Sequence, residues 1–117
     1  MIAKIFALTL LAALAAPAAD TRFACNLKAL TPEQRTRHAK LSRDLLAGVT
    51  ERRDLPDGYA FRIHAALSDV GEWIAAERKC CPFFRFRLDV SEEGEWLSIQ
   101  GVDGVKQFIE AEFKSSP

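Results

Sequence analysis

Two hydrophobic periods alternate along the chain, and the places where one gives way to the other mark its elements. Leu41, Leu45, Leu46 and Val49 recur at helical spacing, while Arg35, Arg37, Lys40, Arg43 and Asp44 fill the remaining faces. Ahead of them, Thr31-Pro32-Glu33-Gln34 places Thr at an N-cap, Pro at the first helical position and Gln three residues after the cap. A first helix is therefore predicted from there to about Gly48. Leu55-Pro56-Asp57-Gly58 reads as a turn, with Pro and Gly where turn chemistry places them. Tyr59, Phe61 and Ile63 then alternate with Ala60, Arg62 and His64, the period of a half-buried strand.

Helical spacing returns with Val70, Trp73 and Ile74. This second helix is expected to start at Ser68 or Asp69, where Asp69-Val70-Gly71-Glu72 offers a capping box, and to stop at Pro82. Phe84, Phe86, Leu88 and Val90 alternate with Arg85, Arg87 and Asp89 as a second strand. Ser91-Glu92-Glu93-Gly94 turns the chain, and Trp96 to Gln100 returns as a third strand with Leu97 and Ile99 inward, closing a hairpin. Val105, Phe108, Ile109 and Phe113 share one face of a last helix. The order α-β-α-β-β-α implies an α+β fold: a small antiparallel three-stranded sheet with helices on one face.

The start of the chain carries a different message. Met1 to Lys4 form a short positive start, Ile5 to Ala16 an apolar run, and Ala16-Pro17-Ala18 supplies small residues before a cut at Ala19. That is the order of a secretory signal peptide. The run falls short of the roughly 20 apolar residues that span a bilayer, so no membrane anchor is expected after cleavage. Thr21-Arg22-Phe23-Ala24 before Cys25 is no lipobox. Residues 1–18 are thus read as a signal peptide and 19–117 as a single α+β domain that is periplasmic or secreted.

Composition narrows the function further. The 117 residues hold 16 Lys and Arg against 16 Asp and Glu, with 49% hydrophobic and 27% charged residues. Loss of Lys4 with the leader leaves 15 basic and 16 acidic residues, a net charge near −1. Balanced charge argues against a nucleic acid partner held by bulk electrostatics. P-loop, G-x-G-x-x-G, H-E-x-x-H and G-x-S-x-G signatures are absent, so no catalytic residues are assigned.

One cluster stands apart from ordinary core patterning. Positions 70, 73, 74, 77 and 81 form the inward stripe of the second helix, and position 77 is Glu. A buried carboxylate costs several kcal/mol unless it is paired, hydrogen-bonded or protonated. His38, His64, Arg62 and Arg85 are the candidates to face it. On the first helix, Gln34, His38, Leu41 and Leu45 fall on one line, which puts His38 at the edge of the buried face.

The three cysteines, Cys25, Cys80 and Cys81, leave one over after complete pairing. Four arrangements compete: Cys25 bonded to Cys80 or Cys81, a vicinal 80–81 bond, three buried thiols, or thiolates on a soft metal. Cys80 and Cys81 sit at the C-terminal end of a helix, where the dipole disfavours a thiolate, and there is no C-x-x-C. A thioredoxin-like oxidant is therefore the weaker idea, whereas a cation drives thiol deprotonation itself. A soft ion such as Cu or Zn is expected on Cys80, Cys81 and Cys25, with His38 or His64 as a nitrogen donor.

A second surface offers an alternative. If Phe84, Phe86 and Ile63 face the helices, Arg62, His64, Arg85, Arg87, Trp96, Ser98 and Gln100 face away. Three arginines and a tryptophan suit an anionic ligand or an unidentified protein partner, and the cysteines are then purely structural.

Glu77-Arg78, Cys80-Cys81-Pro82-Phe83-Phe84-x-Phe86, Leu55 to Arg62 and the Gly104 to Phe108 segment resemble a group of small bacterial proteins with an E-R-x-C-C-P-F-x-x-F run. The resemblance covers Cys25 to Phe113. No established activity comes with it, so it transfers no catalytic residues, and its cysteine pair adds weight to a thiol role.

Overall fold

The structure is a computed structural model that describes residues 23–113; the expected signal peptide and its cleavage point lie outside them. Helix α1 (Pro32–Ala47) begins as its capping signal requires. The Thr31 side chain accepts from Gln34 N–H, and the Gln34 side chain accepts from Thr31 N–H. Gly48 follows as the C-cap. Strands β1 (Glu51–Leu55) and β2 (Gly58–Ile63) come next, then α2 (Leu67–Cys80), β3 (Arg85–Ser91), β4 (Gly94–Gln100) and α3 (Val105–Glu112).

The fold is α+β, but the antiparallel sheet has four strands rather than three, in the order β1-β2-β4-β3. The additional strand is β1, Glu51-Arg52-Arg53-Asp54-Leu55. It lacks alternating hydrophobicity because, as an edge strand, it turns charged side chains outward on both faces. What holds it is backbone pairing to β2, from Glu51↔Arg62 to Leu55↔Gly58. Its guanidinium groups cover aromatic rings: Arg52 Cζ lies 4.7 Å from the Tyr59 centroid, and Arg53 Cζ 3.9 Å from that of Trp96. The expected Leu55–Gly58 turn is the turn of this hairpin.

The start of α2 also departs from expectation. Ala66 is its N-cap and no side chain caps it, so the Asp69/Glu72 capping box does not form. Both carboxylates are drawn to Arg37 of α1 instead: Glu72 takes a two-pronged hydrogen bond at 3.0 Å, and Asp69 lies 3.4 Å away. An ion-pair clamp across the helix pair thus replaces a local cap.

Helices and sheet close over one core. Tyr59, Phe61 and Ile63 of β2 and Leu97 and Ile99 of β4 meet Val105 and Ile109 of α3, Trp73 of α2 and Leu41 and Leu45 of α1. Phe23 and Leu30, from the segment before α1, join the same core. Phe23 packs on Phe83 and Phe108 with ring centroids 5.4 and 6.4 Å apart. The N-terminal arm is therefore part of the domain and runs beside the end of α2, where Asn26 N–H donates to the Cys80 carbonyl at 2.7 Å. Among the described residues, no helix is long and apolar enough to cross a membrane.

Candidate functional site

Glu77, the charged interruption in the apolar stripe of α2, is met by His38 from α1. A ring nitrogen, Nε2, lies 2.7 Å from a Glu77 carboxylate oxygen, and the two side chains are 6% and 12% exposed. A carboxylate accepts, so the ring donates from Nε2. The other three candidate partners are engaged elsewhere. His64 lies one residue past β2 and contacts Thr50 Oγ1 at 2.9 Å, Arg62 pairs with Glu51, and Arg85 pairs with Asp57.

Packing orients the His38 ring. It stacks on the Trp73 indole with centroids 6.0 Å apart and planes inclined by 22°. Trp73 Nε1–H donates to Ser42 Oγ at 2.9 Å, and Ser42 Oγ–H donates to the His38 carbonyl at 2.8 Å. The ring, its backbone and the indole are thereby tied into one unit across α1 and α2. His38 Nδ1 is buried and has no hydrogen-bond partner among the described residues. An orphaned ring nitrogen of this kind is uncommon in a settled core.

The cysteines gather at the same place. Cys25 and Cys81 form a disulfide across a sequence separation of 56, and Cys80 is a free, buried thiol. The vicinal bond is not formed, although Cys80 Sγ lies 3.6 Å from Cys81 Sγ. Cys80 ends α2, and Cys81 caps it by donating its N–H to the Glu77 carbonyl at 2.7 Å. Burial pushes the Cys80 thiol above its ordinary range, and the nearby charge of Glu77 adds to the effect. The free thiol is thus held neutral, as the end of a helix also favours.

Two donor sets share Glu77. Ligand atoms of His38, Glu77 and Cys80 all lie within 4.8 Å of one another, and so do those of Cys25, Glu77 and Cys81. In the disulfide form Cys25 and Cys81 have no thiolate to offer. Of the five ligands expected from sequence, Cys80 and His38 are left, Glu77 stands with them as a third donor, and His64 is not brought to the cluster. An open cavity of about 650 Å³ reaches this point, lined among others by Cys25, Arg35, His38, Glu77, Cys80 and Cys81. A second cleft of about 360 Å³ between α1 and α2 reaches His38 from Leu30, Gln34 and Ala76, and no cysteine lines it.

Sequence reasoning found each member of this cluster but not which histidine belongs to it. The signal was there: Glu77 interrupts the apolar stripe of α2, His38 is the polar member of the buried face of α1 beside Leu41 and Leu45, and the two helices are neighbours. Two such exceptions on packed helices satisfy each other.

The other candidate surface is less inviting. Arg53, Ala60, Ser98 and Arg87 stand in one row across the open face of the sheet, and Arg62, Trp96 and Asp89 in the next. All of these but Arg62 border a shallow trough of about 480 Å³. Arg62, Arg85 and Arg87 each contact a carboxylate, of Glu51, Asp57 and Asp89 respectively. Arg53 covers Trp96. The positive charge of this face is largely answered within it.

No family model, curated protein or solved structure matches the chain.

Proposed function

We propose that this protein is an exported binding protein for a thiophilic metal ion, with His38, Glu77 and Cys80 as its ligands. The observation that supports the reading is the convergence of one nitrogen, one oxygen and one sulfur donor within 4.8 Å at the floor of an open cavity. A mixed N/O/S set is one that Zn²⁺ and similar borderline-soft ions accept, and three protein ligands leave a coordination position open toward the cavity. The neutral Cys80 thiol loses its proton to solvent as the ion binds, so binding weakens as pH falls. The His38–Trp73–Ser42 unit holds the imidazole in place, the supporting role that outer contacts play around metal ligands.

The test is a Zn²⁺ titration of the exported protein against a chromophoric chelator, with intact mass reporting loss of residues 1–18. One equivalent of Zn²⁺ is expected to bind, with affinity falling at least about 10-fold in both Cys80→Ser and His38→Ala, and unchanged in His64→Ala. Failure to bind, or binding indifferent to Cys80→Ser, overturns the metal reading. In that case the arginine face is tested by Arg85→Ala with Arg87→Ala against any partner recovered.

A further inference from the structure

Glu77 belongs to both donor sets, that of His38 and Cys80 and that of Cys25 and Cys81. Cys25 and Cys81 surround the same carboxylate as Cys80 and His38, so the disulfide stands against the proposed metal site. Cys81 Sγ is 3.6 Å from Cys80 Sγ. Opening that bond adds two sulfur donors to the three already there, and the site changes from one thiolate to three.

For this to matter, Cys25 must stay near Cys81 once the covalent link is gone. Several contacts keep it there. Asn26 N–H donates to the Cys80 carbonyl at 2.7 Å, directly beside Cys25. Phe23 and Leu30 are 4% and 3% exposed, anchoring the arm in the core on both sides of Cys25. Arg35 Nη1 donates to the Leu27 and Leu30 carbonyls at 3.3 and 2.9 Å, fixing the arm to the first turns of α1. The arm is seated by burial on both flanks of Cys25 and by hydrogen bonds on its C-terminal side, so reduction frees two sulfur atoms without freeing the chain that carries them.

We infer that the Cys25–Cys81 disulfide is a redox gate on the cluster, holding it as a weak mixed-donor site when closed and converting it to a thiolate-rich soft-metal site when reduced. This rests on the metal reading of the same cluster. The step balances simply. A dithiol reductant gives two electrons and two protons, the Cys25–Cys81 S–S bond breaks to two thiols, and the reductant closes to its own disulfide. Both new thiols lose their protons to solvent when the ion binds. Thiolates outrank carboxylate and imidazole for soft ions, so affinity for such an ion rises on reduction. Linkage makes the effect reciprocal: the ion stabilises the reduced form and makes the disulfide easier to reduce.

The experiment uses the full exported chain and Cd²⁺, whose thiolate charge-transfer absorbance grows with each bound sulfur. Oxidised and reduced forms are titrated against a competing chelator, and the disulfide is equilibrated in thiol buffers with and without Cd²⁺. The reduced form is expected to bind about 100-fold tighter or better, with the absorbance per Cd²⁺ rising from one thiolate to three. A 100-fold ratio raises the disulfide potential by about 60 mV. Binding by neither form overturns the metal reading itself. Equal binding within about 3-fold, or tighter binding with the absorbance still at one thiolate, leaves that reading standing and overturns the gate. Loss of the near-ultraviolet aromatic signal on reduction also overturns the gate, because the arm then leaves its seat.

Discussion

Replacing Cys25 by Ser removes the disulfide that ties the N-terminal arm to the end of α2. Cys25 is the partner to change because it is only partly buried, whereas Cys81 is 2% exposed and a serine there would bury a hydroxyl. The bond closes a loop across a sequence separation of 56. In the chain-entropy account, releasing a loop of that length lowers stability by about 4 kcal/mol, because the unfolded chain regains the freedom the cross-link denied it. That is a large share of the roughly 5–15 kcal/mol that separates folded from unfolded domains. With a urea slope of about 1.3 kcal/mol per molar, the midpoint falls by about 3 M.

The assay is urea unfolding followed by tryptophan fluorescence, with intact mass confirming two free thiols in the variant. The same structure sets an upper bound. Phe23 and Leu30 stay buried if the arm keeps its seat, and each contributes about 2 kcal/mol if it does not. A loss below about 1 kcal/mol refutes the cross-link as a constraint on the unfolded chain. A loss well beyond about 6 kcal/mol refutes the claim that burial and hydrogen bonds hold the arm without it.

Three other expectations follow from single contacts. Tyr59 is the only tyrosine, and its hydroxyl donates to Glu110 at 2.7 Å. That hydrogen bond, then burial, raises its pKa above the ordinary value of 10.0. Its contribution to stability is complete below the unfolded-state pKa and lost as pH rises through the folded one; phenolate absorbance should therefore appear later in native than in urea-unfolded protein, and Tyr59→Phe should cost about 1 kcal/mol at neutral pH. The neutral, buried Cys80 thiol should react with iodoacetamide at least about 100-fold more slowly in native than in unfolded protein, and a comparable rate in both would contradict its burial. A Cβ at Gly58 would run into the Ile99 carbonyl of the neighbouring strand, which backbone cannot readily vacate, so Gly58→Ala should lower stability by about 2 kcal/mol or more in thermal unfolding.

Local chemistry made most of the fold legible. The Thr31 capping box, the alternation in Tyr59 to Ile63 and the Ser91–Gly94 turn each act over a few residues, so their outcome is written in neighbouring side chains. Where reading along the chain missed, a distant partner had intervened. Strand β1 has no apolar alternation, and its backbone pairing to β2 makes it a strand; Asp69 and Glu72 look like a cap until Arg37, on another helix, draws both away.

The candidate site divides along the same line. That Glu77 interrupts an apolar stripe and that His38 lies at the edge of a buried face could be read from spacing alone, because helical periodicity is a property of one segment; that complete pairing of three cysteines leaves one over follows from their count. Which histidine meets Glu77, which cysteine remains free and whether the arm returns to the end of α2 depended on how separate segments pack. No local pattern encodes that packing; it comes from burying Phe23, Leu30, Leu41 and Trp73 in one core, which brings the polar exceptions face to face.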